Sequence, residues 1–478
     1  MSRYIQKTIK NHIKKILETQ NKKAYSKCQD NIEALINFMY SIGGNTSELV
    51  ELLELHYRLL FQISTGEIGL KPLKENLSNI LDEVNKKNDP NRIEAVFISS
   101  KADMSDSIES IYLAAKDDPD CDAYWIPAPY FDVNEHKQAV VMHCESEGYY
   151  SDEIKITRWE EYDIEARRPD IIFTFSAYDN LNNISVIHSD FYSSRLCNLT
   201  DLLVFVPYYV DVDYGTADVF SLSQSCIHAH KTILATEKMK EHYKNVFMQE
   251  YGDRFGNPEE KFIALGSPKY DKVKSTKREN CDLPQNWRDL IGDKKVITYI
   301  SSVGSVLETT DTYMDKLRTI LDTFKSYDNI LLWWRPHPLI KKTIKRMRSD
   351  ILQQYNDIVD KYKNEGWGIY DDSSDLHRAI AWSDGFYGDW SSVLLMFQHA
   401  GKPAMLADTT IRLEHLKPGL GSCRYDRESD SLTCFIDDII KGNHPVSIHN
   451  EAMEILNAEG TAGKAIYEYA KNIVLSKV

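Results

Sequence analysis

Long apolar runs are missing from this chain of 478 residues. No uncharged stretch approaches the ~18 apolar residues that a transmembrane helix requires, and the N-terminus lacks the apolar core of a secretory signal. These absences argue against an integral helical membrane protein and predict a cytosolic one. Peripheral contact with the inner face of the cell membrane stays compatible with them.

Clustered cysteines are also missing. The eight cysteines are scattered, with no CxxC pair and no zinc-finger spacing, so the sequence predicts reduced thiols rather than a disulfide or metal framework. Two short strings resemble metal motifs: the acidic Asp211–Asp213, and the histidine pair His228 and His230. Both are too short to specify a metal without further ligands. We therefore expect no metal and no other cofactor.

Positive charge is in deficit. The chain has 57 basic and 72 acidic residues, a formal charge of −15 and a calculated pI near 5.5. Nucleic acid is therefore excluded as the expected partner, because phosphate contact needs a basic surface.

The 42% hydrophobic content is that of an ordinary globular protein. The chain is too long for one core and contains no evident internal repeat, so it predicts about three domain-sized units.

Residues 1–90 have a helical pattern and form the first predicted domain. Ile5, Ile9, Ile13 and Ile16 recur at spacings of three and four, which places them on one helix face. Lysines surround this stripe. The favoured interpretation is a solvated helix that packs its isoleucines on its neighbours. The alternatives are a basic amphipathic helix on an anionic membrane surface and a surface for homo-oligomer formation.

From residue 92 onward, short apolar runs alternate with helical segments. The predicted strands are IEAVFISS, AYWIPAPYF, DIIFTFSAY, LLVFVPYYV, KTILAT, KFIALGSP, VITYISSV, NILLWW, GWGIYDD and KPAMLAD. Near-continuous apolar strands separated by helices are typical of parallel sheets covered on both faces. The fold class is therefore α/β, with two doubly wound Rossmann-type domains that face a cleft. We place these domains at residues 91–258 and 259–478.

Three loops in the second of these domains follow predicted strands. The loop ALGSPKYDKV contains Gly266, which gives backbone freedom, and Lys269, which supplies charge. The loop WWRPHPLI holds Arg335 and His337 on a chain that its prolines make stiff. Loops of this kind gather at the carboxyl edge of a parallel sheet, where ligands bind.

The third loop, FYGDWSSVLLMF, turns from a strand into an apolar helix. Asp389 or Ser391 can cap this helix, and the amides that follow are free. Free amides, the hydroxyls of Ser391 and Ser392, and the positive helix end form a site suited to a diphosphate. Taken together, the three loops favour a phosphate-bearing ligand over purely structural roles. The residues that we expect to bind this substrate are Gly266, Lys269, Arg335, Asp389, Ser391 and Ser392.

These three motifs, together with GKPAML, resemble the CDP-glycerol glycerophosphotransferases, the family of teichoic-acid polymerases and primases. The segments ADMSDSIESIYLAAKDDPDCDAYWIPAPYFD and ARRPDIIF add to the resemblance, which covers roughly Ile93 to Asp408. It implies a two-domain GT-B fold in which the C-terminal domain binds CDP-glycerol and the N-terminal domain holds the acceptor. Arg335 and His337 would meet the diphosphate, and Ser391 and Ser392 would lie at the helix end.

The sequence departs from the family at one point. Many members carry a His-Gly-Thr-Pro segment in the N-terminal half, and its histidine looks like the catalytic base. The corresponding region here, Leu202 to Gly215, has tyrosines instead. The base therefore stays open among Asp103, Asp106 and Tyr130, with His228 and His230 as further options. Our choice of catalytic residues is His337 and Asp106.

The predicted function is transfer of glycerol phosphate, or a related polyol phosphate, from a CDP-activated donor. The acceptor would be a hydroxyl of a cell-envelope glycan or of a lipid-linked precursor, and CMP would leave. One alternative is a GT-B glycosyltransferase that uses a nucleotide-activated sugar, because the same diphosphate site serves both. Another is a non-catalytic nucleotide-binding or scaffold protein, which the missing histidine suggests.

Overall fold

The computed structural model describes residues 3–42, 47–87, 91–134, 136–182, 185–209, 220–308, 312–389, 391–407, 424–425, 431–443 and 454–476. Its strands are β1 (Ile93–Ser99), β2 (Cys121–Pro127), β3 (Tyr130–Val133), β4 (Ala139–His143), β5 (Ile171–Thr174), β6 (Ser185–Ile187), β7 (Leu202–Phe205), β8 (Lys231–Leu234), β9 (Phe262–Ala264), β10 (Lys295–Ile300), β11 (Ile330–Trp334), β12 (Ile369–Tyr370), β13 (Gly385–Gly388), β14 (Ala404–Leu406) and β15 (Arg424–Tyr425).

The helices are α1 (Arg3–Asn21), α2 (Tyr25–Ile42), α3 (Ser47–Ser64), α4 (Lys71–Lys87), α5 (Glu109–Lys116), α6 (Ile164–Arg167), α7 (Ser193–Leu196), α8 (Gln224–His228), α9 (Glu237–Tyr251), α10 (Pro258–Lys261), α11 (Pro268–Ser275), α12 (Gln285–Ile291), α13 (Val303–Glu308), α14 (Tyr313–Lys325), α15 (Ile340–Met347), α16 (Leu352–Glu365), α17 (Leu376–Trp382), α18 (Ser392–His399), α19 (Leu432–Lys441) and α20 (Ala462–Ser476). Short 3₁₀ helices occupy Ala102–Ser107, Trp159–Glu161, Ser189–Phe191, Arg278–Asn280 and Ser349–Ile351.

The N-terminal helices α1 to α4 pack around a core of their own. Ile5, Ile9, Ile13 and Ile16 are at most 5% exposed and lie in this core, whereas most lysines of α1 face solvent. The favoured interpretation of the isoleucine stripe is therefore correct. A membrane contact made by this stripe is excluded, because its side chains are already buried. Within the described residues, no helix combines the length and apolarity needed to cross a membrane.

The helical unit is fixed to the rest of the chain through Arg167. Its guanidinium donates to the carbonyl of Ile42, at the end of α2, over 2.7 Å. It also forms a buried two-point ion pair with Glu94 of β1. The adjacent Arg168 lies 5.3 Å from the ring centroid of Tyr4 in α1. The dipeptide thus connects two cores that the sequence predicts as separate domains.

Two parallel sheets dominate the remainder of the structure. The first has the order β2-β1-β5-β7-β8-β9, and the second has the order β12-β11-β10-β13-β14-β15. Every strand pair in both sheets is parallel. Strands such as β1 and β11 are buried along their whole length, as expected where helices cover both faces. The predicted fold class, α/β with two doubly wound Rossmann-type domains, is confirmed.

The domain limits differ from the predicted ones in two ways. Strand β9 pairs with β8, so the first sheet extends to residue 264 and the predicted limit at 258 falls before its last strand. In addition, α20 returns to the first domain, where Ile466, Tyr467 and Val474 enter its core. A hydrophobic pattern locates a strand or a helix but does not show which sheet it joins.

A small antiparallel sheet, ordered β4-β3-β6, projects from the first domain. Its β3 carries Tyr130 and Asp132, and Asp132 forms an ion pair of 2.9 Å with Lys342 of α15. Arg346 of α15 also donates to the carbonyl of Asn134 over 2.9 Å. The small sheet therefore contacts the second domain beside the cleft.

Candidate functional site

A cavity of about 420 Å³ lies between the two parallel sheets. The residues that line it follow the carboxyl ends of β1, β5 and β7 in the first domain and of β10, β11, β12 and β13 in the second. This is the edge at which open parallel sheets bind ligands. Of the predicted site residues, Lys269, Arg335, His337 and Ser392 line this one cavity, whereas Asp106, Gly266, Asp389 and Ser391 do not.

Arg335 is buried at the end of β11 and held in place on one side. Its Nη1 donates to Asp371 Oδ2 over 2.6 Å and to the Ser373 hydroxyl over 3.3 Å, and its Nη2 donates to the Ser373 carbonyl over 2.7 Å. These contacts use three of the five N–H groups of a guanidinium. Asp371 thus orients Arg335 and leaves two donors available on a side chain that borders the cavity.

His337 is arranged as a neutral hydrogen-bond donor. Its Nδ1 accepts a hydrogen bond from the amide of Leu339 over 3.1 Å, so the ring hydrogen lies on Nε2. Although the side chain faces the open cavity, desolvation by the surrounding protein lowers its pKa, and the cations of Arg335 and Lys101 lower it further. Because Nδ1 is occupied and Nε2 carries hydrogen, His337 presents a hydrogen-bond donor to the cavity rather than a basic nitrogen.

The start of α18 presents backbone amides to the cavity. Ser391 is the N-cap, makes no side-chain capping bond, and has a shielded hydroxyl without a partner among the described residues. Ser392 and Val393, in the first turn of the helix, border the cavity. Amides of a first helical turn have no intrahelical acceptor. The helix end therefore offers amide donors and a positive dipole to whatever occupies the space.

Asp389 does not take part in this arrangement. Its Oδ2 accepts from the amide of Ser302 over 2.7 Å, and its Oδ1 lies 3.3 Å from the ammonium of Lys316. The side chain is 1% exposed. The expectation that Asp389 binds the substrate is thus corrected: it links the loop after β10 to α14. Trp390, beside it, lies outside the described residues.

Asp106 and Lys269 form a buried cluster with His377. Lys269 Nζ lies 2.5 Å from Asp106 Oδ1, and His377 Nε2 lies 2.8 Å from Asp106 Oδ2. Burial by itself raises the pKa of Asp106, but Lys269 and His377 outweigh it and lower the pKa below the usual range. A carboxylate with both oxygens occupied and a lowered pKa is a poor proton acceptor. The predicted catalytic role of Asp106 is therefore not supported, and Asp106 connects the two domains instead.

Gly266 is needed for close packing rather than for ligand contact. Its φ is +93°, and a Cβ at this position would lie 2.1 Å from the carbonyl oxygen of Leu456. Its amide donates to the carbonyl of Leu234 over 3.1 Å. The expectation that Gly266 binds substrate is corrected accordingly: only a glycine lets the segment before α20 pass over this turn.

We expect Gly266→Ala to lower the free energy of unfolding by about 2–3 kcal/mol, from a strained φ plus a steric clash. The matched control is Gly366→Ala, where φ is also positive but nothing lies within 4 Å of the added Cβ. That control should lose less, about 1–2 kcal/mol, because it carries the strained φ without the steric clash. Urea unfolding followed by tryptophan fluorescence measures both. Equal losses in the two variants would contradict a steric role for Leu456.

On the first-domain side of the cavity, most polar groups already have partners. Glu145 accepts from the amide of Ala102 over 2.6 Å and from the Tyr130 hydroxyl over 2.9 Å. Lys101 donates to the Ser185 hydroxyl over 3.1 Å and lies 4.8 Å from the Tyr130 ring centroid. These contacts fix the groups between β1 and the small antiparallel sheet.

Asp103 differs from these neighbours. It lines the cavity, and its Oδ1 is shielded from solvent without a hydrogen-bond partner among the described residues. Burial raises its pKa; Lys101 opposes this effect and Glu145 adds to it. Asp103 is one of the residues that the sequence analysis considers as the catalytic base.

Aromatic side chains complete the first-domain wall. Phe175, Tyr178 and Tyr208 border the cavity, and burial raises the pKa of Tyr208 to about 12. The other options for a base lie elsewhere: His228 and His230 do not border the cavity, and His230 Nδ1 accepts from the amide of Leu203 over 2.8 Å. The acidic string Asp211–Asp213 lies outside the described residues.

Sequence reasoning missed several residues that shape the site. Asp371 and Ser373, which hold Arg335, belong to the run DDSSD after β12, a polar strand end of the same kind as the three loops that were chosen. Lys101 and Glu145 carried no comparable signal, because their partners come from distant parts of the chain. His377 pairs with a residue 271 positions away.

Comparison with known proteins gives structural likeness at low sequence identity. No protein-family model matches the chain, and no curated protein sequence matches it. The wall teichoic acid polymerase TagF shares 14% identity with a TM-score of 0.45, over 90% of this chain and 98% of that one. A UDP-N-acetylglucosamine 2-epimerase shares 13% with a TM-score of 0.47, over 80% and 96%. The S. aureus MnaA–UDP complex shares 12% with a TM-score of 0.46, over 80% and 97%.

Proposed function

We propose that this chain is a cytosolic transferase that moves glycerol phosphate, or a related polyol phosphate, from a CDP-activated donor. The acceptor is a hydroxyl of a cell-envelope glycan or lipid-linked precursor, and the released product is CMP. One observation carries the proposal: Arg335, His337 and the start of α18 border a single cavity that faces the first domain. The same loops carry the sequence resemblance to the CDP-glycerol glycerophosphotransferases.

The second-domain side of the cavity supports binding of a diphosphate. It offers the remaining N–H groups of Arg335, the Nε2–H of His337 and the amides at the start of α18. Hydrogen bonds between such donors and a charged phosphate contribute about 1.5–3 kcal/mol each. Because His337 is neutral, it adds a directed donor without adding charge. Arg335 supplies the charge, and Asp371 fixes its orientation.

This donor set also suits the chemistry of the transfer. Phosphoryl transfer proceeds through a loose transition state in which charge spreads over the phosphate oxygens. Prearranged donors stabilise that charge more than they stabilise the ground state. The aromatic first-domain wall offers a surface for the acceptor, so that its hydroxyl approaches the phosphorus from the side opposite the leaving CMP. No covalent intermediate with the protein is needed.

The donor class is tested by ligand-induced thermal stabilisation of the purified full chain. The probes are CDP-glycerol, CDP-ribitol, CDP, CMP and UDP-sugars. We expect the cytidine diphosphates to raise Tm, because a ligand at 100 times its Kd stabilises the native state by about 2.7 kcal/mol. Release of CMP from CDP-glycerol, measured in parallel, reports turnover.

The outcomes separate the three candidate functions. Stabilisation by UDP-sugars alone would refute the CDP-polyol proposal and indicate a glycosyltransferase that uses a nucleotide-activated sugar. Stabilisation by CDP-glycerol without CMP release, in the presence of envelope glycan and lipid-linked acceptors, would indicate a nucleotide-binding protein without catalysis. Stabilisation by none of the probes would refute a nucleotide site in this cavity.

A further inference from the structure

The transfer needs a group that takes the proton of the acceptor hydroxyl, and most ionisable groups at the cavity are already engaged. Glu145 has both carboxylate oxygens hydrogen bonded. His337 has its unprotonated nitrogen occupied by a backbone amide. The Tyr130 hydroxyl donates to Glu145, and its pKa is raised by burial and then by Glu145. Each of these three groups is therefore already held by a hydrogen bond to another part of the protein.

Asp103 is placed for this task. It follows β1 directly, in the 3₁₀ helix that begins at Ala102, so it lies at the carboxyl edge of the first sheet. Its Oδ1 has no hydrogen-bond partner among the described residues and is shielded from solvent. The cavity that it borders is the one bordered by Arg335 and His337 of the second domain. The Asp103 side chain thus borders the same cavity as the proposed diphosphate site.

We propose that Asp103 is the proton acceptor of the transfer, a role that rests on the function proposed above. The acceptor hydroxyl gives its proton to Asp103 while its oxygen forms a bond to the phosphorus that carries glycerol. The bond from that phosphorus to the bridging oxygen breaks, and its electron pair leaves with that oxygen on CMP. One P–O bond forms and one breaks, and the proton moves from the hydroxyl to the carboxylate.

Charged neighbours surround Asp103 from several elements. Lys101 lies between β1 and the 3₁₀ helix, Glu145 lies after β4, Lys269 comes from α11, and Asp106 shares the helix. Tyr130 and Tyr208 also interact with it electrostatically. Burial, with Glu145 and Asp106, raises the pKa of Asp103, while Lys101 and Lys269 oppose the rise. A raised pKa makes the carboxylate a stronger base, and proton transfer is most efficient when that pKa lies near the working pH.

The pH dependence of kcat/KM follows from the raised pKa of Asp103. The base is active only when Asp103 is ionised, so kcat/KM should fall as the pH drops through the raised pKa. The acid limb of the pH profile of kcat/KM should therefore lie above the ordinary aspartate pKa of about 3.9. In Asp103→Asn, the remaining activity should have no such limb.

The test compares Asp103→Asn, Asp103→Glu and the surface control Asp152→Asn, whose residue is solvent-exposed. Removal of a general base costs about 10²- to 10⁴-fold in rate, so Asp103→Asn should lose CMP release by that factor. Its Kd for CDP-glycerol should be unchanged or lower, because a negative charge near the diphosphate is removed. Asp103→Glu should recover part of the rate together with the acid limb, and Asp152→Asn should match the wild type.

Two further results separate this inference from the proposed function. Asp103→Asn with wild-type turnover, or with its acid limb retained, would overturn the base assignment and leave the donor class intact. If wild-type protein turns over no CDP-glycerol, the proposed function fails. Infrared titration then decides separately whether Asp103 is a basic carboxylate. A carboxyl band that is absent in Asp103→Asn and titrates above about 3.9 supports a basic Asp103; titration at or below that value overturns the inference.

Discussion

The variant Asp106→Asn is expected to unfold with about 3–5 kcal/mol less free energy than the wild type. The Asp106 carboxylate accepts from Lys269 Nζ over 2.5 Å and from His377 Nε2 over 2.8 Å. All three side chains are at most 7% exposed. Asparagine keeps the shape but removes the charge, so the Lys269 ammonium stays buried without its counter-charge. Because His377 belongs to the second domain, the variant also weakens the contact between the domains.

The loss of unfolding free energy in Asp106→Asn depends on pH. The pKa of Asp106 in the folded state is lowered, so its charged form contributes stability that is present above the unfolded pKa of about 3.9. This stability is lost as the pH falls towards the folded pKa. Asparagine does not titrate. The difference in unfolding free energy between wild type and Asp106→Asn should therefore narrow below about pH 4.

Urea unfolding at several pH values measures this difference. The control is Glu468→Gln, which removes the carboxylate of an exposed ion pair with Lys464, 3.9 Å apart. Pairs of that kind contribute less than about 1 kcal/mol. If Asp106→Asn unfolds no more easily than this control, the buried cluster provides no net stability, and its role reduces to setting the relative position of the domains.

The two parallel sheets were predictable because their strands are buried on both faces. Continuous apolar runs such as those of β1, β10 and β11 have few alternatives, and their separation by helices indicates parallel order. The small antiparallel sheet was not predicted as a separate sheet. Its β4, Ala139–His143, has the apolar sequence AVVMH but is solvent-exposed along most of its length, so its composition does not show that it pairs with β3 outside the main sheet.

The site was predictable at the level of loops and less so at the level of atoms. Strand ends gather at one edge of a sheet, so the loops that carry Arg335, His337 and Ser392 meet, as the sequence suggested. The sequence does not show which partner a carboxylate finds. Asp103 and Asp106 are three residues apart. Asp103 has an oxygen without a hydrogen-bond partner in the part of the chain that the structure describes, whereas Asp106 pairs with Lys269 and His377. Only the packing of the second domain distinguishes them.

Asp389 and Gly266 illustrate the same limit. An aspartate before a helix is a common capping residue. Here the Asp389 oxygens accept hydrogen bonds from the Ser302 amide and the Lys316 ammonium instead. A glycine in a strand-end loop is typical of close approach by a ligand, but the backbone at Leu456 makes that approach instead. In both cases the residue type indicates a tight contact correctly, and the tertiary fold supplies a protein partner.

The second large effect is expected for Arg335→Lys, which keeps the positive charge but removes the planar fork. The Kd for CDP-glycerol should rise roughly 10- to 100-fold, equivalent to one or two charge-assisted hydrogen bonds. A lysine ammonium is a point charge and does not hold Asp371 and the phosphate in the fixed geometry that a guanidinium provides. Isothermal titration with CDP-glycerol measures the change.

Arg378→Lys is the matched control. Arg378 is also largely buried, and its Nη2 donates to the Ser373 hydroxyl over 2.6 Å, the hydroxyl that Arg335 also contacts. It does not border the cavity. The control should therefore leave the Kd for CDP-glycerol within experimental error of the wild type, even if it unfolds at a lower temperature.

Asp371→Asn separates orientation from direct contact. Asp371 accepts from Arg335 and from the indole of Trp333, and it reaches the ligand only through Arg335. If Arg335 binds the diphosphate, the Kd of Asp371→Asn should lie between those of the wild type and Arg335→Lys, because the fork is present but less well oriented. If Arg335→Lys keeps the wild-type Kd and only unfolds earlier, Arg335 is a structural partner of Asp371. The diphosphate would then depend on His337 and the amides of α18 alone.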